Sequence, residues 1–334
     1  MTSFDNIRLE KGLYTTGKSF TEALESIDPS ENYTGTDLEG LDAFQRQLKR
    51  FDIKVSGSNS DPIEKFFKTS DSATLFPEYI SRAVKQGIDN NDILNSIIAT
   101  TTCIEGLDYR TIEPFSENSE AASSVVAEGA EIPEATIRTK EHLIKLHKRG
   151  RMLSASYEAI RFQRLDLFTI ALKQIGASIA RAQLEDAVNT LINGDGNNNS
   201  IKTVAPGQSD ITYADILNLW LALYPYKLTT LITSPSGLHK LLQLDEFSDS
   251  KVSSFKSTGK LITPFGAEIV CYENLAENTV IGLDKNFSLE KVQAGPVVTE
   301  FDKLIDRQIE RAAITATTGF AKIFDEASAL LGNS

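Results

Sequence analysis

The residues whose types and spacing most suggest chemistry lie near the start of the chain. Gly12-Leu13-Tyr14-Thr15-Thr16-Gly17-Lys18-Ser19 matches the phosphate-binding P-loop pattern letter for letter. Such a loop works only if its backbone amides are held rigidly around the phosphates, with a buried hydrophobic strand entering it and a helix leaving it. Here Phe4-Asp5-Asn6-Ile7-Arg8-Leu9-Glu10-Lys11 precedes it, with charges where the strand should be apolar. The segment Thr21 to Pro29 allows two helical turns at most, and no hydrophobic strand ending in a magnesium-holding aspartate is found. We read the match as accidental and keep nucleotide hydrolysis by Lys18 and Ser19 as an alternative.

Other catalytic constellations are missing from the sequence. His142, His147 and His239 form neither a HExxH nor a paired histidine-cysteine pattern, which argues against a zinc hydrolase. Cys103 and Cys271 cannot build a disulfide framework and have no neighbours at metal-ligand spacing, so both are expected to be small core residues. The expectation is a protein that is not an enzyme, with no catalytic, cofactor or metal site.

Composition points the same way. The chain has 334 residues, 41% hydrophobic and 24% charged, as in a soluble globular protein with a sizeable core. No run approaches the roughly 18 apolar residues of a membrane span, and the first residues have no secretory apolar stretch, so a cytoplasmic product is expected. The net charge of −12 argues against holding nucleic acid by phosphate neutralisation.

The element that must position everything else is a long helix. Leu165, Phe168, Leu172, Ile175 and Ile179 recur three or four apart, and Leu184, Val188 and Leu191 continue the stripe. The spacing predicts a helix over Asp166 to Asn193, started by Asp166 and ended at Gly194, about 40 Å long at about 1.5 Å per residue. It is expected to act as a spine.

Ahead of it, the first 75 or so residues read as an arm. Thr36 and Glu39 have capping-box spacing, and Leu41, Phe44 and Leu48 follow at helical intervals, predicting a short amphipathic helix to about Phe51. Its apolar face either packs on its own subunit or docks on a neighbour. Further on, Thr136 to Met152 alternates loosely, as one limb of a long exposed hairpin would. The limb carrying Glu128 and Glu131 is acidic; the other carries Arg138, Lys140, Lys145, His147, Lys148, Arg149 and Arg151. A solvated face, a nucleic-acid patch and a contact with an acidic neighbour compete here. The acidic remainder, and the lack of aromatic residues for base stacking, favour the protein contact.

After Ser154 and Ser156, which can cap a short helix through about Arg164, the spine leads to a Gly/Asn-rich boundary at Gly194 to Gly207. A second block follows, with helices expected at Tyr213 to Tyr224 and Pro235 to Leu244. Strands are expected at Thr229 to Thr233, Ala267 to Cys271 and Thr279 to Leu283. Trp220 is expected in the core. The tail from Leu289 to Ala316 favours strands, and helical propensity returns only in the final Asp-Glu-Ala-Ser-Ala-Leu-Leu.

This order of parts resembles that of tailed-bacteriophage major capsid proteins of the HK97 type, over roughly residues 70 to 330. The residues that carry the resemblance are Glu128-Gly129 with Ile132-Pro133 entering the hairpin, Ser154 before the short helix, and Arg181-Ala182-Gln183-Leu184-Glu185-Asp186 running to Asn193-Gly194-Asp195-Gly196. Ser234-Pro235 with Leu238 and Gly282-Leu283-Asp284 add to it. Each is weak alone; their order and spacing together are specific. The resemblance implies an α+β, HK97-like capsid fold. An N-arm would span 1–75, an extended E-loop 113–150 and an A-domain 207–290. A discontinuous P-domain would be assembled from 76–112, 151–206 (with the spine helix) and 291–334.

It further implies a virion protein, assembled in the host bacterial cytoplasm. Pentamers and hexamers would close an icosahedral head around double-stranded DNA, bound without sequence specificity. Partners would be other copies, a separate scaffold and a portal, with no membrane. Inter-subunit contacts would come from the E-loop and arm, through Glu128, Glu131, Arg138, Lys140, Lys145, Lys148, Arg149, Arg151, Leu41, Phe44 and Leu48. An encapsulin-type compartment of the same fold is the near alternative. Some members join the E-loop to a neighbour by a lysine-asparagine bond; Lys140 lies in the candidate loop, but no asparagine or assisting glutamate aligns, so no cross-link is expected.

Overall fold

The structure is a computed structural model and describes residues 4–14, 19–90, 93–113, 128, 138–207, 210–247, 261–304 and 306–332. In chain order its helices are α1 (Phe20–Ile27), α2 (Ala43–Arg50), α3 (Ser70–Thr74), α4 (Phe76–Asn90), α5 (Tyr157–Phe162), α6 (Leu165–Asn193), α7 (Tyr213–Ala222) and α8 (Pro235–Gln243). The strands are β1 (Ile98–Ile104), β2 (Ile112–Glu113), β3 (Arg138–Thr139), β4 (His147–Ser156), β5 (Lys202–Val204) and β6 (Thr230–Thr233). They continue with β7 (Glu268–Cys271), β8 (Val280–Leu283), β9 (Leu289–Ala294), β10 (Val298–Leu304), β11 (Ile309–Lys322) and β12 (Ser328–Leu331). The chain forms two compact units, each discontinuous in sequence: residues 1–92, 148–181 and 296–316, and residues 93–147, 182–295 and 317–334. The long helix α6 begins in the first and ends in the second.

In the first unit, the expected stripe of α6 (Leu165, Phe168, Leu172, Ile175, Ile179) is buried with Phe76, Tyr79, Ile80, Ala83 and Val84 of α4. Asp166 lies in the first turn of α6, where its carboxylate accepts from the Leu167 amide at 2.9 Å. The first 75 residues, read as an arm whose apolar face packs on its own subunit or docks on a neighbour, contribute Ile7, Phe20, Leu24, Phe44, Leu48, Ile63 and Phe66 to this same core. The helix containing Phe44 starts later than the Thr36–Glu39 spacing suggests. Gly35 and Gly40 take left-handed backbone, with φ of 77° and 80°, so the chain turns there. Asp42 and Gln45 then supply the reciprocal capping box.

What closes this N-terminal segment is a buried cation. The Arg46 side chain is fully buried. Its Nε donates to Asp28 at 2.8 Å, one terminal nitrogen donates to the Leu41 carbonyl at 2.6 Å, and its guanidinium lies 4.4 Å from the Tyr33 ring centroid. A buried charge tolerates such a place only when its donors are met by an opposite charge and by carbonyls.

In the second unit a five-stranded sheet has the order β5-β12-β8-β6-β7. β6, β8 and β12 are buried throughout, as interior strands covered on both faces must be. Alternation divides their side chains. Leu231, Val280, Ala329 and Leu331 join Ile216, Leu219 and Leu241 of α7 and α8 in one cluster. Ile232, Ile281, Leu283 and Leu330 meet Leu184, Val188 and Leu191 at the end of α6 in another. Gly194, at φ 84°, ends that helix as expected. Beside this layer β1 pairs in parallel with β9, which pairs with residues 318–322 of β11.

The chain's final residues correct the sequence reading. Asp325–Ala327 form a single 3-10 turn, and Ser328–Leu331 become β12 between β5 and β8, because burial between two strands outweighs a few tenths of a kilocalorie of helical propensity per residue. Among the described residues no helix is long and apolar enough to cross a membrane.

Candidate functional site

The expected hairpin is present at its root. β2 and β3 pair antiparallel, Ile112 opposite Thr139 and Glu113 opposite Arg138. Beyond Thr139, however, the basic limb leaves the hairpin. The Lys140 amide donates to the Thr111 carbonyl at 2.9 Å and the Ile144 amide to the Tyr109 carbonyl at 2.8 Å. Ile144 is buried with Val292 and Ala321. From His147 the chain runs as β4, which pairs with β11. The loose alternation of this stretch is that of a strand; its partner lies more than a hundred residues away, and alternation alone does not name a partner.

Lys140 is the plainest correction to the expected contact residues. It is buried, and its ammonium donates to the Lys322 carbonyl at 2.8 Å, with Asp195 at 3.7 Å and Asp325 at 3.6 Å. Lys322 is also fully buried; its Nζ donates to the Asn199 carbonyl at 2.9 Å and its amide to Asp195 at 3.0 Å. Burial pushes the Lys322 ammonium below the usual lysine range, with Asp325 and Asp195 pulling the other way. Burial alone would raise Asp195, but hydrogen bonds from Asn197 and the Lys140 charge hold its carboxyl below the ordinary value. Lys140 is therefore an internal anchor of the loop root, its ammonium held by groups of its own chain.

A buried carboxylate anchors the other side. Glu290, on β9, accepts from the hydroxyls of Thr102, Tyr109 and Thr111, the Tyr109 bond being 2.6 Å. The Tyr109 hydroxyl is pushed up by burial and by this negative partner. Residues 102–111 are thus tied to β9 before the hairpin begins.

The remaining expected contact residues divide. Arg138, Lys145, Lys148 and Arg151 are exposed and make no ion pair with any described residue; Arg149 is partly buried. Glu128 is exposed, and Glu131 lies outside the described residues. His147 Nδ1 lies 3.1 Å from the buried carboxylate of Asp186. Phe44 and Leu48 are buried in their own chain, so the apolar face of α2 is spent within the subunit, whereas Leu41 is half-buried.

Ser19 of the P-loop-like motif is a helix cap. Its hydroxyl accepts from the Glu22 amide at 3.2 Å while the Glu22 carboxylate accepts from the Ser19 amide at 2.8 Å. Phe4–Asn6 form a 3-10 turn where a P-loop needs a strand, and a second 3-10 turn, Lys11–Tyr14, runs into the motif itself. Tyr14 stacks on Phe20 at 4.4 Å and donates its hydroxyl to the Thr74 carbonyl at 2.7 Å. Lys18 lies outside the described residues. The motif's described residues serve packing and capping.

Sequence reasoning missed one surface. Leu217, Trp220, Leu221 and Tyr224 stand outward along α7 and the turn after it, 42, 52, 66 and 81% exposed. Trp220 is therefore not in the core, which is filled by Ile216, Leu219 and Leu223. The signal was in the sequence: the only charged residue of α7 is Asp215, which is buried as part of the Thr212 capping box. A helix with large apolar residues on both its inner and outer faces has a second face to cover.

Comparison with known proteins matches this arrangement. A sequence profile of the family described as phage capsid protein matches residues 139–329, more than half of the chain. The structure is similar to a virus-like particle from Pyrococcus furiosus, with 17% identity and a TM-score of 0.52 over 76% of this chain and 98% of that one. It is also similar to the capsid of a native GTA particle, with 15% identity and a TM-score of 0.53 over 72% and 89%. No curated protein is matched by the sequence. The chain belongs to the phage capsid protein family, and its α+β fold is that of a bacteriophage major capsid protein of the HK97 type.

Proposed function

We propose that this chain is the shell-forming subunit of a phage head, assembling as pentamers and hexamers into an icosahedral container for double-stranded DNA. The observation that carries this reading is the family match across residues 139–329. In this reading residues 113–150 contain the E-loop, 207–290 form the A-domain, and 76–112, 151–206 and 291–334 form the P-domain. The first 75 residues are the N-terminal segment, which here is packed into the first unit's core. A net charge of −12 suits a shell that must let packaged DNA move, since a basic lining would hold phosphate. A scaffold and a portal would be its other partners, and the finished product would reside in the virion after assembly in the bacterial cytoplasm.

The test is the mass distribution of the purified protein, with electron microscopy of any heavy fraction and an assay for nuclease-protected nucleic acid. Hexamers, pentamers or closed shells are expected. Shells containing an enzyme cargo in place of DNA would transfer the protein to the encapsulin type. A monomer at every concentration, with or without co-expressed partner proteins, would overturn the reading.

A further inference from the structure

Beside the loop root, within the second unit, lies a cavity of about 420 Å³. Its wall is aromatic: Tyr226 and Phe324 lie 5.7 Å apart, centroid to centroid, and both pack on Phe287. Around them stand the carboxylates of Glu113, Glu141, Asp325 and Glu326. Lys140, the one ammonium among the described lining residues, is committed to the Lys322 carbonyl and to Asp195 and Asp325; it offsets one of the four carboxylate charges and leaves the cavity with a negative balance. Carboxylates around an aromatic face form a receptor for an alkylammonium or guanidinium group, whose charge meets the carboxylates while its flat or apolar part lies on the ring.

The same chain displays such groups without an ion-pair partner among the described residues. Arg138, Lys145, Lys148 and Arg151 are exposed, make no ion pair with any described residue, and are gathered within fourteen consecutive residues of a protein whose net charge is −12. A concentrated basic strip on an acidic protein is electrostatically matched to an acidic cavity on another copy.

Resting on the capsid reading above, we infer that this cavity is an inter-subunit socket that receives a lysine or arginine side chain from the 138–151 segment of a second copy. The contact is heterologous, socket on one copy and basic strip on the next, which is the kind that closes rings. Its charge pairs are partly exposed, so each is weak and salt-sensitive. Repetition around a ring and over a shell multiplies them.

The test is a charge swap read out as assembly. Glu113→Lys with Glu326→Lys changes two exposed side chains and should leave the subunit folded by circular dichroism. It is expected to raise the concentration needed for assembly by about tenfold or more. Adding Lys145→Glu, Lys148→Glu and Arg151→Glu to that variant should restore assembly toward the wild-type concentration. The Glu113→Gln, Glu326→Gln pair, which cannot misfold through repulsion, should show a smaller loss that grows as salt is lowered. Wild-type assembly with an unimpaired Lys-substituted variant overturns the socket; loss without rescue overturns the basic strip as its occupant. Failure of the wild-type chain itself to assemble would instead strike the capsid reading on which the socket depends.

Discussion

Gly87 of α4 and Gly176 of α6 lie against each other with no room for a side chain. A β-carbon on Gly176 would come 2.2 Å from the Val84 carbonyl oxygen and 2.9 Å from the Gly87 carbonyl carbon, and one on Gly87 would come 2.3 Å from the Lys173 carbonyl oxygen. The obstructing atoms are backbone, which cannot rotate aside, so either substitution must separate the two helices and loosen the core that Leu172, Ile175, Ala83 and Val84 share. Gly176→Ala is expected to cost about 1–3 kcal/mol or more, seen as a lower urea midpoint. An unchanged midpoint would mean that the two helices are not in this close contact.

Arg46 offers a second test. Arg46→Met leaves the carboxylate of Asp28, itself buried, without its cation, and should destabilise the subunit by about 3–5 kcal/mol. Converting Asp28 to leucine in the same chain should return part of that loss, since the greater cost is the orphaned charge and not the missing pair. Additive losses in the double variant would show that the two residues act independently.

Acid should destabilise the protein through specific aspartates. Asp195 and Asp215 are both buried, which alone would raise them, yet hydrogen bonds and, for Asp195, the Lys140 charge hold their folded values below the ordinary 3.8. The unfolded chain then binds protons first as pH falls. Their stabilisation is complete above the ordinary aspartate range and is lost as pH drops through 3.8 and beyond. Lys322 acts in the alkaline range: its folded value lies below 10.5, so stability rises as pH climbs from that value toward 10.5. Thermal midpoints against pH should show an acid limb that flattens in Asp195→Asn; an unaltered limb would assign acid sensitivity elsewhere.

The P-loop resemblance predicts a null result with a positive counterpart. ATP or GTP with magnesium should neither be hydrolysed nor raise the melting temperature. Ser19→Ala should lower stability by about 1 kcal/mol through loss of the cap. Nucleotide-dependent stabilisation that vanishes in Lys18→Ala would revive the hydrolase alternative.

Because Glu113 and Arg138 are paired directly, residues 114–137 can be replaced by an Asn-Gly turn without disturbing the root. The shortened chain should remain a folded subunit but fail to close shells. A cut extending to residue 149 would be uninformative, since it removes Lys140 and Ile144 from the second unit's interior. Normal shells from the shorter cut would refute the assembly role proposed for the loop.

Much of the fold follows from local pattern. The α6 stripe, its end at Gly194 and the β6, β7 and β8 strands were legible because each element is specified by periodicity and by the residues that stop it. The candidate site was less so. The basic character of residues 138–151 was plain, but which of these side chains face solvent was not, because Lys140 turns inward to carbonyl and carboxylate partners drawn from residues 195, 322 and 325. Trp220 was misplaced for the converse reason: an apolar residue names a face to be covered without naming which cover exists within one copy.

The sequence by itself determined the helix and strand periods, the acidic balance, and the order of parts that marks the family. Those properties depend on neighbours a few residues away. Only the tertiary structure decided that β4 pairs with β11, that residues 328–331 form a strand, that Arg46 and Lys140 are interior, and that four carboxylates surround an aromatic cavity. Each of these joins residues distant along the chain, and the burial they share outweighs the local propensity that any one segment carries alone.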